Sequence, residues 1–344
     1  MKISFKNDYS EGAHPAILEA LLQTNRQQQP GYGLDDYSEQ AKALIRERIG
    51  NPQAEIFFVS GGTQANLLVL GHILRPHESI IACQSAHIAD HETGAIEAVG
   101  RKIHLAPSDN GKLSPEQIRD YASRYTNVPH QVQPRLVYIT QTTEIGTLYS
   151  LAELKAIWQC CQELGLLLYM DGARLAQALS AEGNDIGWED LARYTDIFYI
   201  GATKCGALLG EAIVFNQSVL AEYFSFYIKQ KGALLAKGRL LGLQFLTLFQ
   251  NNLYEELGRV ANTQMKRIKE AFVAKGIGFL SDTCTNQLFP ILTQQQIAQL
   301  SADFDFYLWQ KVDAEHTAIR LITSWATEDS QVEALLRVIE GLTP

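Results

Sequence analysis

Two short apolar runs constrain this chain more than any other feature: Leu166–Met170 and Asp196–Ile200. Each is too short for a helix, each runs into a glycine-containing turn, and neither alternates with polar residues. That is the pattern of a strand covered on both faces in a parallel sheet. The first run leads into Asp171-Gly-Ala-Arg174 and the second into Gly201-Ala-Thr-Lys204. Open α/β sheets hold their ligands in the crevice beyond the carboxyl ends of the strands, so the sequence sets a carboxylate and an amine in one place.

A lysine held in such a crevice is partly desolvated, which lowers its pKa and makes available the neutral amine that forms Schiff bases. A carboxylate nearby suits a protonated pyridine nitrogen, and the two together are what pyridoxal phosphate requires. Singly, each residue has a plainer reading: Lys204 as a surface lysine after a strand, and Asp171 as the N-cap of a helix over Gly172–Ser180. Their pairing at the ends of neighbouring strands favours the chemical reading.

With 344 residues the chain can build one large and one smaller domain without staples. The pattern divides near residue 250, giving an N-terminal arm and large α/β domain over 1–250 and a small α+β domain over 251–344. A net charge of -9 argues against nucleic acid or an anionic membrane as partner. The five cysteines show no metal-type spacing, and the adjacent Cys160 and Cys161 suit no disulfide framework, which points to a reducing cytoplasm. Met1-Lys-Ile-Ser-Phe-Lys-Asn-Asp8 carries no apolar leader core. The apolar stretch Ala233–Phe249 is interrupted by Lys237, Gly238 and Arg239, so no membrane span is expected.

Along the chain, a helix is expected over Pro15–Gln27 and another over Tyr37–Ile49, joined by the turn-rich Pro30–Asp36. Tyr32 in that turn either meets a ligand or plugs the gap between helices. The strand Glu55–Val59 runs through Ser60-Gly-Gly-Thr63 toward a helix. This arrangement lets unpaired N–H groups and the helix dipole meet an anion, with Gly62 allowing close approach and Thr63 adding a hydroxyl. It lacks the P-loop and dinucleotide patterns and suits a single phosphate. After the strand Ser79–Cys83 come His87 and His91. Four apart with Asp90 between them, they faintly match a metal signature; alternatively His87 stands alone at a strand end, free to stack on a planar ligand. Further strands are expected at Lys102–Leu105, Arg135–Thr140 and Glu211–Phe215, with Thr142 or Glu144 facing the crevice. Helices are expected at Ala152–Leu164 and through Ser218–Gln250, the latter carrying Lys229, Lys231, Lys237 and Arg239. Beyond it come a helix over Asn251–Lys275, strands Gln287–Leu292 and Ala318–Thr323, and a helix over Asp329–Gly341. Arg320 sits inside an apolar strand and therefore needs an anion, either a protein carboxylate or a substrate carboxylate held bidentately.

Gly62-Thr-Gln-Ala-Asn66, Ala86-His87, Asp171-Gly-Ala-Arg174, Gly201-Ala-Thr-Lys204 and Arg320-Leu-Ile-Thr-Ser-Trp325, in this order, resemble the pyridoxal-phosphate-dependent threonine aldolases across nearly the whole chain. The resemblance implies fold type I, the aspartate aminotransferase-like α/β architecture, with a large mostly parallel sheet and a small C-terminal domain. It implies Lys204 as the Schiff-base lysine, Asp171 at the pyridine nitrogen, His87 on the ring, and Gly62 and Thr63 at the phosphate. Arg174 and Arg320 would serve the cofactor oxygen and the substrate carboxylate. Family members are dimers or tetramers with sites at subunit interfaces, so Lys231 or Lys237 is a candidate for a neighbour's phosphate. Two departures stand out. The arm of many members reads R-S-D-T, but here it is Lys6-Asn-Asp-Tyr9, which puts Asn7 where a serine lies near the substrate. Where T-H-N-G is familiar, this chain has Thr143-Glu-Ile-Gly146, resembling the branch with phenylserine-cleaving members.

The implied reaction is retro-aldol cleavage of a β-hydroxy-α-amino acid to glycine and an aldehyde. His87, Glu144 or a water would take the β-hydroxyl proton. Competing readings are another lyase or aminotransferase of the same fold, a metal-dependent hydrolase built on His87 and His91, and a non-catalytic binding protein derived from the fold.

Overall fold

The computed structural model describes residues 2–343. Met1, where the N-terminal reading begins, and Pro344, where the second expected domain ends, lie outside the described residues. The centre is a seven-stranded sheet of β1 (Glu55–Val59), β2 (Glu78–Cys83), β3 (Lys102–Ala106), β4 (Gln133–Thr140), β5 (Leu167–Asp171), β6 (Ile197–Gly201) and β7 (Glu211–Phe215). Its spatial order is β1-β7-β6-β5-β4-β2-β3. From β6 to β3 every pairing is parallel, and only β7 runs against its neighbours β6 and β1. The sheet is thus α/β and mostly parallel, with the carboxyl ends of β4, β5 and β6 on one edge.

The apolar runs that predicted these strands are buried because both faces are covered. Val137, Ile139, Leu168, Met170, Phe198 and Ile200 point into one core cluster. The alternate residues Leu136, Tyr138, Tyr169, Ile197 and Tyr199 point into a second. That period of two is the pleat of a strand. On the first face, Asp36–Arg48 crosses Arg239–Gln250 so closely that a Cβ on Gly242 would lie 2.1 Å from Ser38 Oγ. A helix pair this tight tolerates only glycine at that position.

Beyond residue 250, the 22-residue helix Leu253–Ala274 and the helices Gln294–Asp303 and Asp329–Glu340 cover a small antiparallel sheet. Their shared core includes Met265, Phe272, Leu288, Ile319 and Leu335. Phe5 is buried in the same core, and the two-residue strand Ile3–Ser4 pairs in parallel with Phe304–Asp305. Among the described residues, no helix is long and apolar enough to cross a membrane.

Several element boundaries differ from expectation. The first helix stops at Thr24, and the helix after Asp171 is only Leu175–Leu179, because Gly172 to Arg174 form a turn. Ser218–Gln250 is not one helical stretch. A 3-10 turn at Ser218–Ala221 and the helix Phe224–Gln230 precede a break before Arg239, around Gly232, whose φ is +70°. Gln287–Leu292 splits into Gln287–Leu288 and Ile291–Thr293, since Pro290 has no N–H to give a ladder. The helix Gln294–Asp303 and the strand Tyr307–Lys311 were not expected at all.

Candidate active site

Strands β5 and β6 end side by side because glycine lets their exits touch. A Cβ on Gly172 would lie 2.0 Å from the Tyr199 carbonyl oxygen, and one on Gly201 would lie 2.5 Å from that of Ala173. The turn carrying Asp171 therefore lies directly against the turn leading to Lys204. Both residues line a cavity of about 740 Å³, together with Gly62, Thr63, His87, Glu144, Arg174 and Arg320. These eight residues, singled out from the sequence, thus converge, and Thr142 and His91 join them. Asn7, Tyr32, Lys231 and Lys237 do not line the cavity; Asn7 Oδ1 accepts from Tyr9 N at 3.0 Å and Ser10 Oγ at 2.9 Å, closing a local turn. Its neighbour Tyr9 lines the cavity instead.

Asp171 is buried and receives three donors. Tyr138 OH and Asn66 Nδ2 reach Oδ2 at 2.5 and 3.2 Å, and Ala173 N reaches Oδ1 at 3.0 Å. Asn66 also donates to Glu92 Oε1 at 2.7 Å, and that oxygen lies 2.8 Å from His87 Nδ1. The imidazole is thereby fixed at one nitrogen, while its side chain stays 38% accessible toward the cavity. His91 lines the same cavity, its ring centroid 5.5 Å from that of His87 and 6.2 Å from that of Trp309. Among the described residues, no group of three or more His, Cys, Asp or Glu could hold a metal.

Lys204 Nζ makes no hydrogen bond or ion pair among the described residues. Burial and the Arg174 guanidinium push its pKa down, against opposition from Asp8, Asp171 and Glu211. Glu144 accepts from His87 N at 2.8 Å and Thr140 Oγ1 at 3.0 Å, yet burial still raises its carboxyl to about 7. The helix Gly62–Ile73 opens on the cavity with no side chain capping it. At Gly62, a Cβ would come within 2.9 Å of Tyr199 OH.

The two arginines are held differently. Arg174 forks onto buried Asp8, with Nε and a terminal nitrogen at 2.7 and 3.1 Å, and Asn286 Nδ2 secures the same carboxylate at 2.9 Å. Burial raises the Asp8 carboxyl, but Arg174 and Lys204 outweigh it and the net shift is downward. Arg320 has no carboxylate partner among the described residues. Its guanidinium lies over the rings of Tyr307 at 5.0 Å and Trp309 at 4.6 Å, and its buried Nε has no acceptor. Burial, then Arg174, lower its pKa to about 10. Two cation–π contacts contribute roughly 0.5–2 kcal/mol each, whereas desolvating an ion costs several. The protein-carboxylate reading of Arg320 is therefore set aside, and the site has an unmet demand for an anion.

Asp8, Asn66, Glu92, Tyr138, Glu211, Tyr307 and Trp309 were not anticipated as site residues. Asp8 and Asn66 lie inside stretches already singled out. The alternation Tyr307-Leu-Trp309 is a strand signal that could have placed its aromatic pair beside Arg320.

Residues 6–293 match the family model described as beta-eliminating lyase, and the chain belongs to that family. It is 33% identical over 342 residues to the low specificity L-threonine aldolase of Pseudomonas aeruginosa, covering 97% of this chain and 96% of that protein. It is also similar to the solved structure of Leishmania major threonine aldolase, with a TM-score of 0.97 and 45% identity over 98% of this chain and 99% of the other. An aspartate aminotransferase of Thermus thermophilus shares the fold at a TM-score of 0.73 and 15% identity, covering 99% of this chain and 91% of that one.

Proposed function

We propose that this protein is a pyridoxal-phosphate-dependent aldolase that cleaves β-hydroxy-α-amino acids, L-threonine and L-allo-threonine among them, to glycine and an aldehyde. The observation that carries the reading is the meeting, in one cavity, of Lys204 whose Nζ is unpaired among the described residues, a triply donated Asp171 and an uncapped helix start, in a chain whose relatives bear the names given above. A primary amine, a buried carboxylate and a helix terminus match an aldehyde, a ring nitrogen and a phosphate in one ligand. Bound there, pyridoxal phosphate supplies an electron sink for cleavage of a bond at Cα. Lys204 would hold it covalently, Gly62 and Thr63 would take its phosphate, the fixed His87 ring would cover one face, and Asp171 would keep its ring nitrogen protonated.

The chain's own residues then orient the amino acid. Arg320, lacking an internal anion, receives the α-carboxylate, and Arg174, braced by Asp8, serves the cofactor oxygen or the same carboxylate. Fixing the carboxylate decides which bond at Cα is presented for cleavage. Glu144, braced by His87 N and Thr140, is the group we assign to the β-hydroxyl proton. A base acts when ionised, so kcat/KM is expected to fall as pH drops through about 7, the value burial gives Glu144. Glu144→Gln should remove that limb and lower kcat by about 10²-fold. A glutamine variant with an unchanged pH profile would move the role to His87 or water.

The function itself is tested by incubating the purified protein with L-threonine, L-allo-threonine and L-threo-phenylserine and following glycine and aldehyde together. Without an imidazole at position 144 to orient the β-hydroxyl, both threonine isomers should be cleaved. Phenylserine should be accepted as well, since one extra apolar group shifts discrimination by only about 1–3 kcal/mol. No glycine from any of the three would end the aldolase reading.

We further propose a division into domains near residue 250, with the arm clasped to the second domain through Ile3–Ser4 and Phe5. The assembly is proposed to be a homo-oligomer, a dimer or tetramer. Val219, Tyr223 and Phe226, within eight residues of chain, are each more than two-thirds exposed, and the Tyr223 and Phe226 rings lie 6.2 Å apart, apolar side chains that association would cover. Lys231 and Lys237 lie outside this chain's own cavity, which suits service to a neighbour. Free cysteines throughout support a cytoplasmic location.

A further inference from the structure

A second carboxylate lines the cavity beside Lys204 and has no part in the scheme above. Glu211 opens β7, in register with Gly201 at the end of β6, three residues before the lysine. Its Oε1 accepts from Thr203 Oγ1 at 2.9 Å, and the same hydroxyl receives Gly210 N at 3.0 Å. The turn from Gly201 to Glu211 is thus closed on itself with the glutamate pointing inward. Its Oε2 is buried and has no hydrogen-bond partner among the described residues. A packing role would be served by an amide or an alkyl chain, and an orphaned carboxylate oxygen facing an amine of variable charge calls for another account.

We propose that Glu211 is the proton partner of Lys204, holding on Oε2 the proton that the lysine gives up when it passes from ammonium to amine. The Nζ–H bond breaks with its electron pair left on nitrogen, and an Oε2–H bond forms. Ammonium plus carboxylate becomes amine plus carboxylic acid, and the net charge of the cavity does not change. The two groups are not in ion-pair contact, so the proton passes between them through solvent water in the cavity that both line. In a desolvated site a neutral pair is favoured over two buried charges that do not touch, so the exchange supplies the reactive amine without exporting charge to solvent. When the lysine is displaced by a substrate amine, the same proton is available for its return.

The charged groups around the pair agree with this division of labour. Lys204 faces Arg174, Asp8, Asp171 and Glu211. Asp8 is committed to Arg174 and Asn286, and Asp171 to its three donors, so Glu211 is the acid left to exchange. Burial raises Glu211 to about 8, against the Thr203 bond and Lys204, with Asp171 adding to the rise.

The inference rests on the proposed function and is tested on the purified holoenzyme by titrating its visible absorption band with pH. Two interacting groups lose their protons in two macroscopic steps, so wild type should show two midpoints. Glu211→Gln retains an acceptor for Thr203 but cannot take a proton, and should show one midpoint together with a kcat lowered by about 10²-fold. Thr203→Val keeps the carboxylate and removes the hydroxyl that favours its ionised form, so the upper midpoint should persist and move upward. A Glu211→Gln titration that superimposes on wild type, or an upper midpoint unmoved in Thr203→Val, would overturn the proposal. A wild-type protein with no visible band after addition of pyridoxal phosphate would instead overturn the function on which it rests.

Discussion

Lys204→Ala is expected to abolish the visible band of the purified protein and to lower glycine formation by a factor on the order of 10³ or more, while the protein stays folded. The expectation combines chemistry with packing. Lys204 Nζ has no hydrogen bond to lose, and its pKa is already pushed down by burial and Arg174, so the native state gives up little when the amine is removed. The strand ahead of it is secured separately by Phe198 and Ile200, which are fully buried, and by the ladder to β7. Thermal unfolding should occur within a few degrees of wild type stripped of cofactor, because a change of 1 kcal/mol moves a chain of this size by only a few degrees and a bound ligand would add its own stabilisation. Absorbance, turnover and Tm measured on one preparation separate the outcomes. Loss of the band with Tm retained assigns the lysine to chemistry. A variant that turns over at the wild-type rate refutes the assignment.

How much of this site could be read from the chain depends on how each residue is held. The places of Lys204, Asp171 and Gly62 on the cavity are legible because they are written locally: a strand, then a turn, then the residue. The fold followed from the same source, since runs such as Leu167–Asp171 and Ile197–Gly201 must be covered on both faces. Asn7 shows where that logic runs out. Its neighbour Asp8 lies 166 positions from Arg174 yet forms a bidentate pair with it, and which arm residue points inward is decided by pairing with Phe304–Asp305 rather than by anything in the arm itself. The sequence presents Arg320 as a cation in need of an anion, and among the described residues its buried Nε meets no acceptor. Its aromatic bed was not foreseen, because Tyr307 and Trp309 act from an edge strand that carries a register shift. Pro290 breaking a strand and Gly232 ending a helix were visible as residue types. Their effect depended on neighbours that sequence does not order.

Asp171→Asn is expected to keep the visible band and lose most of the turnover, a fall of at least about 10²-fold. The change is nearly isosteric, so the cavity keeps its shape. What changes is the pattern of donors and acceptors. Oδ1 and Oδ2 together accept from Tyr138 OH, Asn66 Nδ2 and Ala173 N, a set that only a group with two acceptor oxygens can satisfy. An asparagine sets its own N–H against one of these donors, and a buried donor left without a partner costs about 1–3 kcal/mol. A modest drop in Tm should therefore accompany the loss of activity. More consequentially, the amide carries no charge to keep a pyridine nitrogen protonated, and the electron sink weakens at the moment charge develops at Cα. Lys204 is untouched by the substitution, so covalent attachment, reported by the band, should survive. If turnover instead matched wild type while Tm fell, Asp171 would be an anchor for the Tyr138–Asn66 network, and its place at the ring nitrogen would have to be given up.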